Sequence, residues 1–176
     1  MNLYEKTISS EQKYNGKIIK VRQDFVLLPN GKQTTREVVE HNGGVGIVAV
    51  TNEKNIILIR QFRKPAEEVL IEIPAGKLEK GEEPEKCAAR ELEEETGKVP
   101  KSLKLLTKFY PSPGYSSEVL YIYYSDDLQD GKVNLDEGEN VEVFEVSIDK
   151  ALEMIKEGEI KDAKTIIGIL LAKNYI

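Results

Sequence analysis

The chain has 176 residues with 25 Lys+Arg against 31 Asp+Glu, a net charge of −6, which suits one domain or a core with a small appendage and excludes a multidomain machine. At 40% hydrophobic and 32% charged it has enough apolar residues for a sizeable core, which excludes global disorder. Its one cysteine, Cys87, excludes an internal disulfide and a CxxC zinc site.

The opening MNLYEKTISSEQK lacks the apolar stretch of a signal peptide, and no apolar run approaches the about 18 residues of a membrane span. A cytoplasmic protein with no membrane partner is expected. The acidic balance also speaks against a sequence-independent grip on nucleic acid, so a polyanionic substrate needs a metal or local arginines.

Alternating runs over 17–28 and 35–41 flank Pro29-Asn30-Gly31, whose Asn-Gly pair suits the positive φ angles of a tight turn, so an N-terminal antiparallel β-hairpin is expected. Residues 1–41 then form a hairpin segment ahead of a main domain over 42–176. Further strands are predicted at 44–51, 56–61, 69–73, 103–110, 119–124 and 141–146. Helices are predicted over 84–96, stopped by Gly97; over 148–156, capped by Ser147 and stopped by Gly158; and over 163–173, starting from Asp162. Strands in runs, interrupted by one helix and closed by two, predict an α+β layered domain.

The most informative stretch is GKLEKGEEPEKCAARELEEETG, residues 76–97. On a helix from about residue 84, Glu91, Glu94 and Glu95 share one face, and like charges at i,i+4 cost about 0.2–0.5 kcal/mol in an isolated helix. A bound cation offsets that repulsion. With oxygen ligands and no nearby His or Cys, a hard ion, Mg²⁺ or Mn²⁺, is favoured over zinc. Glu-rich helix faces are often simply solvated, but here the offsets are specific. Gly76, Glu82, Arg90-Glu91-Leu92, Glu94-Glu95 and Gly97 stand at the spacing of the Nudix box, and the stretch resembles the Nudix hydrolases at every fixed position. The usual aliphatic residue after the final glycine is replaced by Lys98.

The resemblance implies an α/β/α sandwich with a mixed β-sheet over 42–176, and hydrolysis of a nucleoside diphosphate linked to another moiety. Glu91, Glu94 and Glu95 match the metal-binding glutamates, with Glu94 also placed in the catalytic set. Arg90 and Glu82 match residues that orient helix and loop, and Ala75 matches a residue offering its backbone carbonyl to the metal.

Outside the box, REVVEH from Arg36, RQFR from Arg60, EIPAGKLEKGE from Glu72 and FYPSPGYSSE from Phe109 resemble the ADP-ribose pyrophosphatase subfamily in the same order. By that resemblance Arg36, Glu37 and Arg63 contact substrate, and arginines suit its phosphates. Leu78 and Ser112, Pro113 and Gly114 match a substrate-lining loop, although Ser-Pro-Gly is equally turn chemistry. Glu118 is placed to accept hydrogen bonds from ribose hydroxyls or an amino group. In the acidic loop 134–143, Glu137 matches the proton acceptor and Glu139 a further metal ligand.

The implied reaction is hydrolysis of ADP-ribose to AMP and ribose 5-phosphate. A broader ADP-sugar or nucleoside-diphosphate-sugar hydrolase is the alternative, and a non-catalytic sensor of ADP-ribose or NAD metabolites a third, disfavoured because all the box glutamates are kept. The resemblance further implies a homodimer whose N-terminal strands exchange, placing Lys17 and Ile18, after Tyr14-Asn15-Gly16, in the partner's adenine pocket. His41 is read as structural, and Cys87 and Tyr121, Tyr123 and Tyr124 as packing residues.

Overall fold

The computed structural model describes residues 2–135 and 137–176. In chain order the elements are β1 (Lys6–Asn15), β2 (Lys20–Leu27), β3 (Gln33–Glu40), β4 (Gly44–Ala49), β5 (Asn55–Arg63), β6 (Glu68–Glu72), β7 (Ala75–Lys77), α1 (Pro84–Thr96), β8 (Lys98–Pro100), β9 (Lys104–Phe109), β10 (Leu120–Ser125), β11 (Leu128–Asp130), β12 (Val141–Ser147), α2 (Ile148–Glu157) and α3 (Ala163–Ala172). They form two compact units. One runs from the N-terminal end to Gly43 and takes in Tyr110–Val119; the other is Gly44–Phe109 with Leu120–Ile176.

The N-terminal unit is an antiparallel sheet in the order β1-β2-β3. The expected hairpin is β2–β3, in register from Lys20 opposite Glu40 to Leu27 opposite Gln33. Its turn differs from the Asn-Gly expectation: Gly31, at φ +80°, is the loop's one residue with positive φ. The Gly31 N–H donates to the Leu28 carbonyl (2.9 Å) and the Leu28 N–H to the Lys32 carbonyl (2.8 Å), with Asn30 Oδ1 accepting from the Lys32 N–H. Pro29 presets the first φ of a type I turn, and glycine supplies the left-handed residue that closes it.

Strand β1 was not expected. Its KTISSEQKYN has no period-two apolar pattern and every residue is exposed, yet it pairs with β2 from Lys6↔Leu27 to Asn15↔Lys20. Gly16–Ile19 is the turn between them, closed by the Gly16 N–H on the Ile19 carbonyl (3.0 Å), so Lys17 and Ile18 lie in a turn instead of opening a strand. The segment Tyr110–Val119 joins the end of β3, where Val39 exchanges backbone hydrogen bonds with Tyr115 and Ser117 (2.7 and 2.9 Å).

In the larger unit a mixed sheet, β7-β4-β10-β9, has β4 and β10 parallel and the other pairs antiparallel; a second, antiparallel sheet is β12-β5-β6, and β8 pairs with β11. All six residues of β4 are buried, and alternate ones enter different cores. Val45, Ile47 and Ala49 pack with Cys87, Ala88 and Leu92 of α1, while Val48 packs with Met154 of α2 and Ile169 of α3. Ile57 against Leu58, and Tyr123 against Tyr124, divide in the same way. A strand that buries both faces must be covered on both, which gives the expected sandwich of helix, sheet and helix.

The helix boundaries follow their caps. Pro84 opens α1, where its missing N–H costs nothing, and Gly97 at φ +69° ends it. Ser147 Oγ accepts from the Lys150 N–H, and Asp162 accepts from the Thr165 N–H. Among the described residues no helix is long and apolar enough to cross a membrane.

Candidate active site

Cys87, Ala88 and Leu92 anchor α1 in the core and thereby fix the glutamates beside them. The strand leading to the helix, β7, pairs with β4 through Gly46↔Ala75 and Val45↔Gly76. This lays bare backbone under the carboxylate of Glu91: a Cβ on Gly76 would stand 1.8 Å from Glu91 Cδ and 1.9 and 2.3 Å from its oxygens. The glycine that opens the box is therefore a steric requirement of the first glutamate. Gly76→Ala is expected to push Glu91 aside, lowering kcat by about 10²-fold while moving the melting temperature by only a few degrees, because the clash is with the end of a side chain. Kinetics beside thermal melting check it, and wild-type turnover would refute it.

Arg90 organises the opposite edge. Its Nε and Nη2 donate to both oxygens of Glu82 (3.1 and 3.2 Å), and Glu82 Oε2 also accepts from the Glu79 N–H (2.9 Å), tying helix to approach loop. Nη1 donates to Glu91 Oε1 and to Glu94 Oε2, both at 2.9 Å. The guanidinium thus offsets the like charges that the helix brings together. Cys87 lies behind it, 3.4 Å from Arg90 Nη2 and from the Lys77 carbonyl; burial, with Glu82 nearby, pushes its thiol up to about 12, which leaves it a packing group.

Glu95 is different. Its side chain is 1% exposed; Oε2 accepts from the Ala75 N–H (2.9 Å), and Oε1 has no hydrogen-bond partner among the described residues. Burial, with Glu139 and Glu91 nearby and only Ala75 and Arg63 in opposition, pushes its carboxyl up to about 8. Burial likewise raises Glu91 despite Arg90. A buried carboxylate oxygen without a donor, among other carboxylates and next to the backbone of Ala75, is chemistry that fits a hard divalent cation. Among the described residues no three acidic, imidazole or thiol groups are already converged as a ligand set; Arg90 holds Glu91 and Glu94 instead.

Glu139 accepts from Gln61 Nε2 (3.2 Å) and its charge is felt by both Glu91 and Glu95. Glu137 is exposed in the turn before it, and Asp136 of that loop lies outside the described residues. Arg63 is held by Glu72 through Nε–Oε1 (2.7 Å) and Nη2–Oε2 (2.8 Å). Burial pushes Glu72 up, but Arg63 and Lys164 outweigh it and keep the carboxyl below its ordinary range. Sequence reasoning missed Glu72, although an acid in the apolar run VLIEI signals a buried partner. Leu78 is buried in the core on the α1 side.

The remaining candidates belong to the N-terminal unit. Arg36 is exposed and paired with Glu5 through Nη2–Oε1 (2.8 Å) and Nε–Oε2 (3.0 Å), and Glu37 beside it is exposed. Ser112, Pro113 and Gly114 form a turn whose Ser112 carbonyl accepts from the Tyr115 and Ser116 N–H groups. Glu118 Oε1 stands 3.3 Å from Nδ1 of His41, a ring nitrogen that accepts from the Gly43 N–H (3.1 Å). Lys17 and Ile18 are exposed, Ile18 at 62%. The structure therefore gathers Ala75, Glu91, Glu94, Glu95 and Glu139 in one unit and Arg36, Glu37 and Glu118 in the other.

Comparisons with known proteins agree with this geometry. Residues 40–167 match the NUDIX domain family, and residues 5–39 match the nucleoside diphosphate sugar hydrolase N-terminal domain. The chain is 50% identical over 170 residues to an ADP-ribose pyrophosphatase of Bacillus subtilis (strain 168), covering 96% of this chain and 92% of that protein. It is 46% identical over 167 residues to a methanol dehydrogenase activator of Bacillus methanolicus, covering 94% and 90%. In fold it is similar to a crystal structure of an ADP compounds hydrolase, with a TM-score of 0.87 at 22% identity over 99% of this chain and 96% of that one. With the glycine, the arginine and the glutamates of the box at their fixed offsets on α1, its approach strand and the loop between them, the chain belongs to the Nudix hydrolases.

Proposed function

We propose that this hydrolase cleaves the pyrophosphate of ADP-ribose to AMP and ribose 5-phosphate, using Mg²⁺ or Mn²⁺, as a homodimer in the cytoplasm. Dependence on a divalent metal is general among Nudix hydrolases. The observation that carries the reading is the oxygen-only donor set around the unpartnered Oε1 of Glu95, in a chain half identical to an ADP-ribose pyrophosphatase over nearly its whole length.

Glu91, Glu94, Glu95, Glu139 and the Ala75 carbonyl would hold the ion. When bound, it offsets phosphate charge and makes water more acidic. Glu137 takes the proton of the attacking water as its oxygen bonds to phosphorus; the bridging P–O bond breaks, and each product keeps one phosphate. A positioned base contributes about 10²- to 10⁴-fold. Arg63 and Leu78 are assigned to substrate contact from the larger unit and Arg36, Glu37, Glu118 and Ser112 to Gly114 from the N-terminal unit, the arginines offsetting diphosphate charge and the acids accepting from sugar or base. Residues 1–41 serve as the dimerisation segment. The exposure of Ile8, Ile18 and Phe25 supports a second copy there, with Lys17 and Ile18 reaching the partner's adenine.

A kinetic panel of ADP-ribose, ADP-glucose and GDP-mannose with Mg²⁺ tests the substrate. ADP-ribose is expected to have the highest kcat/KM, and a lower rank would favour the broader nucleotide-sugar hydrolase that the N-terminal match supports. In the same assay wild-type kcat for both Glu137→Gln and Glu139→Gln would remove the loop from the mechanism. A monomer by light scattering would remove the shared site.

A further inference from the structure

Glu72 ends β6 with 1% of its surface exposed, and its two oxygens carry more than the grip on Arg63. Lys164 Nζ also donates to Oε2, and the same Nζ donates to Asp162 Oδ2 at 3.0 Å. Asp162 Oδ2 is meanwhile the N-cap of α3, accepting from the Thr165 N–H (2.9 Å) and from Thr165 Oγ1 (2.6 Å). Thr165 Oγ1 in turn accepts from the Ile73 N–H (2.9 Å). The run Asp162-Ala163-Lys164-Thr165 therefore caps a helix and fastens that helix to Glu72-Ile73. Two acids and two bases, Asp162, Lys164, Glu72 and Arg63, form an alternating chain with no net charge. Its last member, Arg63, is 38% exposed and has Nη1 free of any hydrogen bond to a described residue.

A carboxylate held on one side only can swing with its arginine. Held by Lys164 as well, it fixes the plane of the guanidinium through two parallel bonds and leaves Nη1 for an anion. We propose that Lys164 is a positioning residue for hydrolysis, acting through Glu72 to fix Arg63 so that Nη1 meets a phosphate oxygen of the substrate. This rests on the proposed reading of Arg63 as a substrate contact. Charge alone does not require Lys164: Arg63 already neutralises Glu72, and Asp162 could cap α3 through Thr165 without it.

The test is steady-state kinetics with ADP-ribose and Mg²⁺ on full-length variants, with melting temperatures alongside. Lys164→Met is expected to raise KM about tenfold with kcat little changed, and Lys164→Arg to restore most of it. Thr165→Val, which removes the hydroxyl's bonds to Ile73 and Asp162 but none of the charges or the Lys164–Glu72 bond, is expected to lower the melting temperature and leave KM alone. In an Arg63→Gln background Lys164→Met is expected to add nothing further. A wild-type KM for Lys164→Met, an additive effect with Arg63→Gln, or an equal KM rise in Thr165→Val would each overturn the proposal. If Lys164→Met does not fold, Lys164→Gln, which keeps much of the side chain but not its charge, is read in the same way, and an unchanged KM there is equally fatal. Arg63→Gln alone separates the two ideas. If its KM is normal, the reading of Arg63 fails; if its KM is high while that of Lys164→Met is normal, only the role of Lys164 fails.

Discussion

Glu95→Gln is expected to lower kcat by about 10³-fold while making the metal-free protein more stable at neutral pH, because the two effects have the same origin. The Glu95 carboxyl is buried, has one oxygen without a donor, and titrates at about 8 against an ordinary 4.5. Below pH 4.5 it is protonated in both folded and unfolded chains and carries no penalty. Between 4.5 and 8 the unfolded chain releases the proton while the folded chain keeps it, so stability falls as pH rises; above 8 the loss levels off. The full span amounts to roughly 5 kcal/mol. Glutamine cannot ionise, so the variant's melting temperature in chelator is expected to decline less steeply from pH 5 to 8 than that of the wild type, with the raised Glu91 carboxyl leaving a smaller slope. Adding Mg²⁺ at pH 8 is expected to restore the wild type and leave the variant unmoved. A flat wild-type profile, or a decline of equal slope in the variant, would show that Glu95 is not the strained group.

Arg90→Ala is expected to be the other large loss, about 10²-fold in kcat and about 2 kcal/mol in metal-free stability. Breaking a buried pair costs more than this, but Arg90 is one-third exposed and solvent screens part of the effect. Two consequences compete in the variant. Losing the guanidinium frees Glu91 and Glu94 for metal, yet it also releases Glu82 and with it the loop that follows β7. Of the bonds from Arg90 to carboxylates, two go to the loop and two to the helix glutamates, so orientation and repulsion are lost together and the net effect is loss of activity. The rise in melting temperature on adding Mg²⁺ should nevertheless exceed that of the wild type, since a cation then replaces the missing charge. Calorimetric or fluorescence melting with and without Mg²⁺ measures this. An equal rise in both proteins would mean that Arg90 does not occupy the carboxylates in solution.

What the sequence made legible was local. Pro84 and Gly97 bracket α1 because each acts on its own backbone, and the short apolar runs of β4, β5 and β10 appear in consecutive letters. Strand β1 was not legible because a sheet edge with both faces in water needs no apolar alternation. The three-residue strands β7, β8 and β11 exist only through their partners. The box glutamates could be read from spacing, whereas the division of labour among them could not. Arg90 on Glu91 and Glu94, and the orphaned oxygen of Glu95, arise from the fold. Glu72 and Lys164 lie far apart in the chain, and only the docking of α3 brings them together.

The inclusion of Tyr110–Val119 in the N-terminal unit bears on the order in which the chain is made. Strands β1 to β3 leave the ribosome before the rest of their unit, and the backbone groups of Val39 wait for Tyr115 and Ser117, which emerge only after α1 and β9. The N-terminal sheet is thus synthesised well before the segment that finishes it. Until then its sheet carries unsatisfied backbone at the end of β3, at a stage when neighbouring nascent chains are close at hand. The polar, charged sequence of β1, which concealed it as a strand, keeps that waiting sheet from sticking to them along its other edge.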